Sequence, residues 1–124
     1  MRVGVTSTGK DLNAQVDPRF GRCQYFLIVD TDTMNFEIIS NESATASGGA
    51  GIQAAQKVAK TGVEAILTGN VGPNAYQTLS AAGIKVVTGA NGTIKEVVEK
   101  YKKGELKETR GASVNSHFGM GGRR

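Results

Sequence analysis

Tryptophan is missing from this 124-residue chain, and cysteine and histidine occur once each, as Cys23 and His117. A single thiol excludes an internal disulfide framework. With one imidazole beside it, it also excludes a self-contained Cys₄ or Cys₂His₂ zinc site and a three-histidine metal centre. Aromatic residues are only 6% of the chain, leaving few platforms on which single-stranded nucleic acid could stack. No apolar run approaches the roughly 18 residues that span a bilayer. The opening Met1-Arg2-Val3-Gly4-Val5 reads as a strand rather than a signal peptide, so the expectation is a soluble, cytoplasmic protein without membrane contact.

What is present is enough for one compact domain, with 39% hydrophobic and 21% charged residues. The net charge of +4 is unevenly placed. Nine bases balance nine acids up to Lys100. After it, Lys102, Lys103, Lys107, Arg110, Arg123 and Arg124 outnumber Glu105 and Glu108 and carry the whole excess. The sequence therefore divides into a neutral domain over 1–104 and a basic, glycine-rich tail over 105–124 that is expected to be flexible.

Periodicity gives the architecture. Arg2 to Ser7, Tyr25 to Asp30 and Phe36 to Ser40 read as strands, the last two joined by the polar turn Asp32-Thr33-Met34-Asn35. Gly51 to Lys60 then places Ile52, Ala55, Val58 and Ala59 on one helical face. A buried strand follows over Glu64 to Thr68, and Pro73 opens a helix that stops at Gly83. Ile84 to Thr88 is a short strand, and Thr93 caps a helix carrying Ile94, Val97, Val98 and Tyr101. The order β-β-β-α-β-α-β-α implies a five-stranded mixed sheet in a three-layer α/β/α sandwich, with the hairpin strand at one side running antiparallel.

Seventeen glycines are the compositional outlier, and three glycine-rich loops open the three helices. They are Ser47-Gly48-Gly49-Ala50-Gly51, Thr68-Gly69-Asn70-Val71-Gly72-Pro73-Asn74 and Thr88-Gly89-Ala90-Asn91-Gly92-Thr93. Such loops lie at the carboxyl edge of a parallel sheet, where glycine lets backbone approach a ligand and helix N-termini favour anions. Neither the P-loop nor the G-x-G-x-x-G signature is present, so tight turns alone also account for these glycines. The connection Asp17-Pro18-Arg19-Phe20-Gly21-Arg22-Cys23 can reach the same edge, and Asp17 is placed to pair with Arg19 or Arg22. Cys23 is either a soft thiolate ligand beside a guanidinium or a buried residue at a strand start.

The Asp17…Phe20-Gly21-Arg22…Phe26 stretch and the run Leu67-Thr68-Gly69-Asn70-Val71-Gly72-Pro73-Asn74-Ala75, followed by Leu79 and Gly83-Ile84, resemble the dinitrogenase iron-molybdenum cofactor biosynthesis family. That family includes NifX and NafY type proteins and the carboxyl-terminal domain of NifB. The similarity covers roughly 1–103. It implies a ribonuclease H-like domain that binds or shuttles the iron-molybdenum cofactor or an iron–sulfur precursor without catalysis, working with other cluster-assembly proteins as a monomer or weak homodimer. Taken with the glycine-rich rim, the candidate contacts are Asp17, Arg19, Phe20, Gly21, Arg22, Gly48, Gly49, Gly69, Asn70, Gly72 and Asn74; Cys23 and the tail His117 are the candidate metal ligands, although a lone tail histidine reads first as a solvated side chain. Many cofactor-handling members resemble His-Phe-Gly where this chain has Arg19-Phe20-Gly21.

The competing reading is nucleic-acid binding through the basic tail. Nuclease chemistry would need several carboxylates around metal ions, whereas Asp30 is expected far from Asp17. A Cys23 nucleophile would lack a base, because the one histidine lies in the tail.

Overall fold

The computed structural model describes residues 1–42 and 49–109. The sheet contains β1 (Arg2–Ser7), β2 (Tyr25–Asp30), β3 (Phe36–Ser40), β4 (Ala65–Leu67) and β5 (Lys85–Val87) in the order β3-β2-β1-β4-β5. The helices are α1 (Ala50–Ala59), α2 (Pro73–Ala81) and α3 (Ile94–Lys102). β1 pairs parallel to β4 and β4 to β5, while β2 runs antiparallel to both β1 and β3. The one reversed strand is thus β2, second from the edge. The outer hairpin strand β3 regains the common direction because the chain reverses twice, and so β1, β3, β4 and β5 all end at the same edge of the sheet.

Alternation of side chains builds the two cores. In β2, Phe26 and Ile28 point to one face with Ile66 and Val86, and there they pack on Ala54, Ala55 and Val58 of α1 and Ala75 and Leu79 of α2. Leu27 and Val29 point to the other face with Val3, Val5, Leu67 and Val87, and there they meet Ile94, Val97 and Val98 of α3. Strands covered on both sides need continuous apolar runs, which explains Tyr25-Phe26-Leu27-Ile28-Val29. The edge strand β3 lacks such cover, and Phe36 and Ile38 are exposed on it.

Beyond α3 the chain stays on the body as far as Thr109. Leu106 packs against the α3-side core, and the Thr109 N–H donates to the Val86 carbonyl at 2.7 Å along the free edge of β5. The rest of the basic tail, with Arg110, His117, Arg123 and Arg124, lies outside the described residues. Among the described residues, no helix is long and apolar enough to cross a membrane.

Candidate functional site

At the shared strand edge the 17–23 connection is laid between the N-termini of α1 and α2. Two backbone hydrogen bonds fix it there: Asn70 N–H donates to the Pro18 carbonyl at 2.8 Å and Phe20 N–H to the Asn70 carbonyl at 3.2 Å. The result is a cleft of about 500 Å³. One wall is Arg19, Phe20, Gly21 and Arg22. The others are Gly49 to Ile52 from the start of α1 and Asn70 to Ala75 from the start of α2.

The electrostatics of this cleft come from its backbone as much as from its arginines. The first N–H groups of a helix have no intrahelical acceptor and concentrate its positive dipole end. Gly49 and Gly72 cap α1 and α2 without any side-chain hydrogen bond. Two helix starts and two arginines therefore line one space, a combination that attracts anions.

Eight of the residues expected at the site line the cleft: Arg19, Phe20, Gly21 and Arg22 on the connection, with Gly49, Asn70, Gly72 and Asn74 on the helix starts. Ala50, Gly51, Val71 and Pro73, from the same two glycine-rich loops, line it too, as do Ile52 and Ala75, which lie outside those loops and whose signal was their place in the first turn of the helix that each loop opens. Gly48 and His117 lie outside the described residues.

Two expected contacts, Asp17 and Gly69, sit beneath the cleft instead. Asp17 is 3% exposed, and it accepts hydrogen bonds from the Arg19 backbone N–H at 2.9 Å, from Nε at 3.2 Å and from Nη2 at 3.3 Å. Hydrogen bonding to Asp17, then its charge, raises the Arg19 pKa, so the guanidinium stays charged. Gly69 is filled by protein rather than by a ligand: a Cβ there would stand 2.6 Å from Pro18 Cα. Gly21 is similar, for although it lines the cleft, its Cβ position faces the Gly51 backbone at 3.0 Å. By contrast, nothing lies within 4 Å of a Cβ built on Gly72.

Cys23 realises the buried alternative. It is fully buried among Phe20, Phe26 and the α1 core, its thiol donates to the Phe20 carbonyl at 3.3 Å, and the Asn41 amide lies 3.8 Å from the sulfur. Burial, and then the charge of Asp17, pushes its pKa up to about 12. A metal ligand at this position needs a thiolate facing the cleft, and the structure supplies neither the charge nor the direction. Among the described residues no group of three His, Cys, Asp or Glu side chains could hold a metal ion.

The third glycine loop does not join the site, although it ends at the same edge. Its helix, α3, packs on the opposite face and closes its own N-terminus. Glu96 N–H donates to Thr93 Oγ1 at 3.1 Å and Thr93 N–H donates to Glu96 Oε1 at 2.9 Å, a complete capping box. These bonds hold the Glu96 carboxyl below its usual range. Thr93→Ala is expected to lower stability by about 1 kcal/mol in urea unfolding. It should leave the cleft, which it does not touch, unchanged in an amide spectrum, and shifts in the Arg19 and Asn70 resonances would contradict this separation.

The cleft belongs to a fold with named relatives. A family model described as dinitrogenase iron-molybdenum cofactor matches residues 1–104. The chain belongs to that family. The apo form of the orange protein from Desulfovibrio gigas is 45% identical, superimposes with a TM-score of 0.88, and covers 90% of this chain and 95% of its own. A NifB-like protein of Thermotoga is 42% identical with a TM-score of 0.75, covering 88% and 97%. An uncharacterized protein of Methanocaldococcus jannaschii is 34% identical over 99 residues, 77% of this chain and 84% of the relative. The dinitrogenase iron-molybdenum cofactor family match takes in all three segments that wall the cleft, 19–22, 49–52 and 70–75.

Proposed function

We propose that this protein is a small, non-catalytic cytoplasmic carrier or accessory factor for an anionic metallocluster, the iron-molybdenum cofactor or an iron–sulfur precursor, which it exchanges with other cluster-assembly proteins. The observation that carries this reading is the meeting of two helix N-termini capped by glycine with Arg19 and Arg22 in the lining of one cleft, in a chain whose family is named for that cofactor. The strand order with β2 reversed supports the ribonuclease H-like assignment.

The chemistry is that of charge and dipole. With Cys23 buried and protonated, the described walls offer hydrogen-bond donors and cations to the outer atoms of a cluster and no anionic ligand to its metals. A cargo held in this way is released when a partner offers true ligands, which suits a carrier. Nuclease chemistry gains no support, since Asp17 is neutralised by Arg19 while Asp30 pairs across from Arg2 at the other end of β1.

The test is anaerobic gel filtration of the 124-residue chain with isolated iron-molybdenum cofactor. Cofactor should co-elute with the protein, less so as salt rises, and Arg19→Ala combined with Arg22→Ala should weaken retention at least about tenfold. Absence of co-elution at micromolar protein, or retention indifferent to the two arginines, would sink the reading.

A further inference from the structure

We propose that Asp17, which does not face the cleft, is the positioning residue that aims the Arg19 guanidinium at the anionic occupant. This inference rests on the anion-carrier reading of the cleft and adds to it a residue that acts only through another.

The geometry points this way for three reasons. First, Asp17 is immobilised from its main chain outward. Its N–H donates to the Thr6 carbonyl at 2.9 Å, and its carbonyl accepts from Thr6 Oγ1 at 2.6 Å, the Thr6 hydroxyl itself lying 2.9 Å from Thr68 Oγ1. The Asp17 backbone is thereby tied to β1 directly and, through Thr6, to Thr68 just past the end of β4, so the carboxylate projects from a fixed main chain. Second, it engages Arg19 on one side of the fork only. Nε and Nη2 are directed to Oδ1 and Oδ2, which leaves the Nη1 donors and one Nη2 hydrogen to face away from the carboxylate. Third, the Arg19 side chain is 64% exposed while that of Asp17 is 4% exposed. An exposed arginine otherwise spreads over many rotamers, and a fixed carboxylate behind it removes that freedom before any ligand arrives.

The sign of the effect makes the inference testable. By charge count alone, a carboxylate beside the cleft repels an anion, so Asp17→Asn, which removes one negative charge, would tighten binding. Positioning predicts the reverse. Asp17→Asn keeps a side-chain oxygen for the Arg19 backbone N–H, yet it loses the charged partner that holds Nε and Nη2. Its affinity for isolated iron-molybdenum cofactor should fall about tenfold.

The experiment is a cycle of anaerobic titrations with the full chain as wild type, Asp17→Asn, Arg19→Ala and the double variant, paired with proton–nitrogen spectra of the ligand-free proteins. The expected result is a loss on Asp17→Asn that disappears or changes sign in the Arg19→Ala background. In the spectra the Arg19 Nε–H should be protected from solvent exchange in the wild type and lose that protection in Asp17→Asn. Unchanged or tighter binding by Asp17→Asn would overturn the inference. The same loss without Arg19 would reduce Asp17 to a structural role, and equal exchange of Nε–H in both proteins would also overturn the proposal. Equal binding by wild type and Arg19→Ala would likewise overturn the positioning inference, whereas failure of the wild type to bind the cofactor at all is the different outcome that sinks the anion-carrier reading itself.

Discussion

Gly69→Ala should lower the stability of the domain by about 3 kcal/mol and misalign the cleft in the fraction that still folds. The added methyl would sit 2.6 Å from Pro18 Cα and 2.9 Å from both Pro18 Cβ and the Pro18 carbonyl oxygen. Those are backbone and ring atoms, which cannot swing aside as the end of a long side chain could. Nor can either segment back away. Pro18 is held by the 2.8 Å bond from Asn70 N–H, and the Gly69 carbonyl accepts from Gly89 N–H at 2.9 Å on the other side. Relief of the clash therefore has to break the bridge between Arg19 and Asn70, which places the cationic wall opposite α2. Gly72→Ala is the matched control, with φ of −82° and no atom within 4 Å of the new methyl, so its effect should stay within about 0.5 kcal/mol. Urea unfolding of the two variants and the wild type decides the matter, and equal midpoints for all three would refute the account of Gly69.

Much of this architecture was legible in the residues. The bounds of β1, β2 and β3 follow from apolar runs broken by turn residues, and Pro73 and Thr93 mark the starts of α2 and α3. The placement of the site at the carboxyl edge follows from the same reading, because glycine-rich loops after parallel strands have nowhere else to go. What each glycine is for was not legible. Gly69 and Gly72 are three residues apart in one loop, yet the first is closed by Pro18 and the second faces open space. That difference depends on where a distant segment crosses, which no local pattern encodes. Likewise Asp17 reads as a contact residue from its neighbours, but its three hydrogen bonds to Arg19 turn it inward. The separation of the third loop had a usable signal, since Thr93-Ile94-Lys95-Glu96 is a capping-box pattern and a helix that satisfies its own N-terminus has little to offer an anion.

Cys23 leads to the second large effect, a loss of stability in alkali. Its folded pKa is about 12 against an ordinary value of 9.0, because burial and Asp17 both disfavour the thiolate. The folded state thus holds this proton more tightly than the unfolded chain. Its contribution is fully present below about pH 9 and is lost progressively as pH rises toward 12, at about 1.4 kcal/mol per pH unit and about 4 kcal/mol in all. Tyrosines and lysines also titrate in this window, so the comparison must be with Cys23→Ala, in which every other group is retained. At pH 8 the variant should be the less stable, having lost a packed sulfur in the core beside Phe20 and Phe26. Between pH 9 and 11 the gap should close and then invert, and parallel stability curves across that range would refute the shifted thiol. The same titration bears on the cargo. At pH 7 a thiol of this kind is ionised on the order of one part in 10⁵, so Cys23→Ala should retain isolated iron-molybdenum cofactor as well as the wild type. A cluster bound through sulfur would instead be lost from the variant while the cleft arginines remained in place.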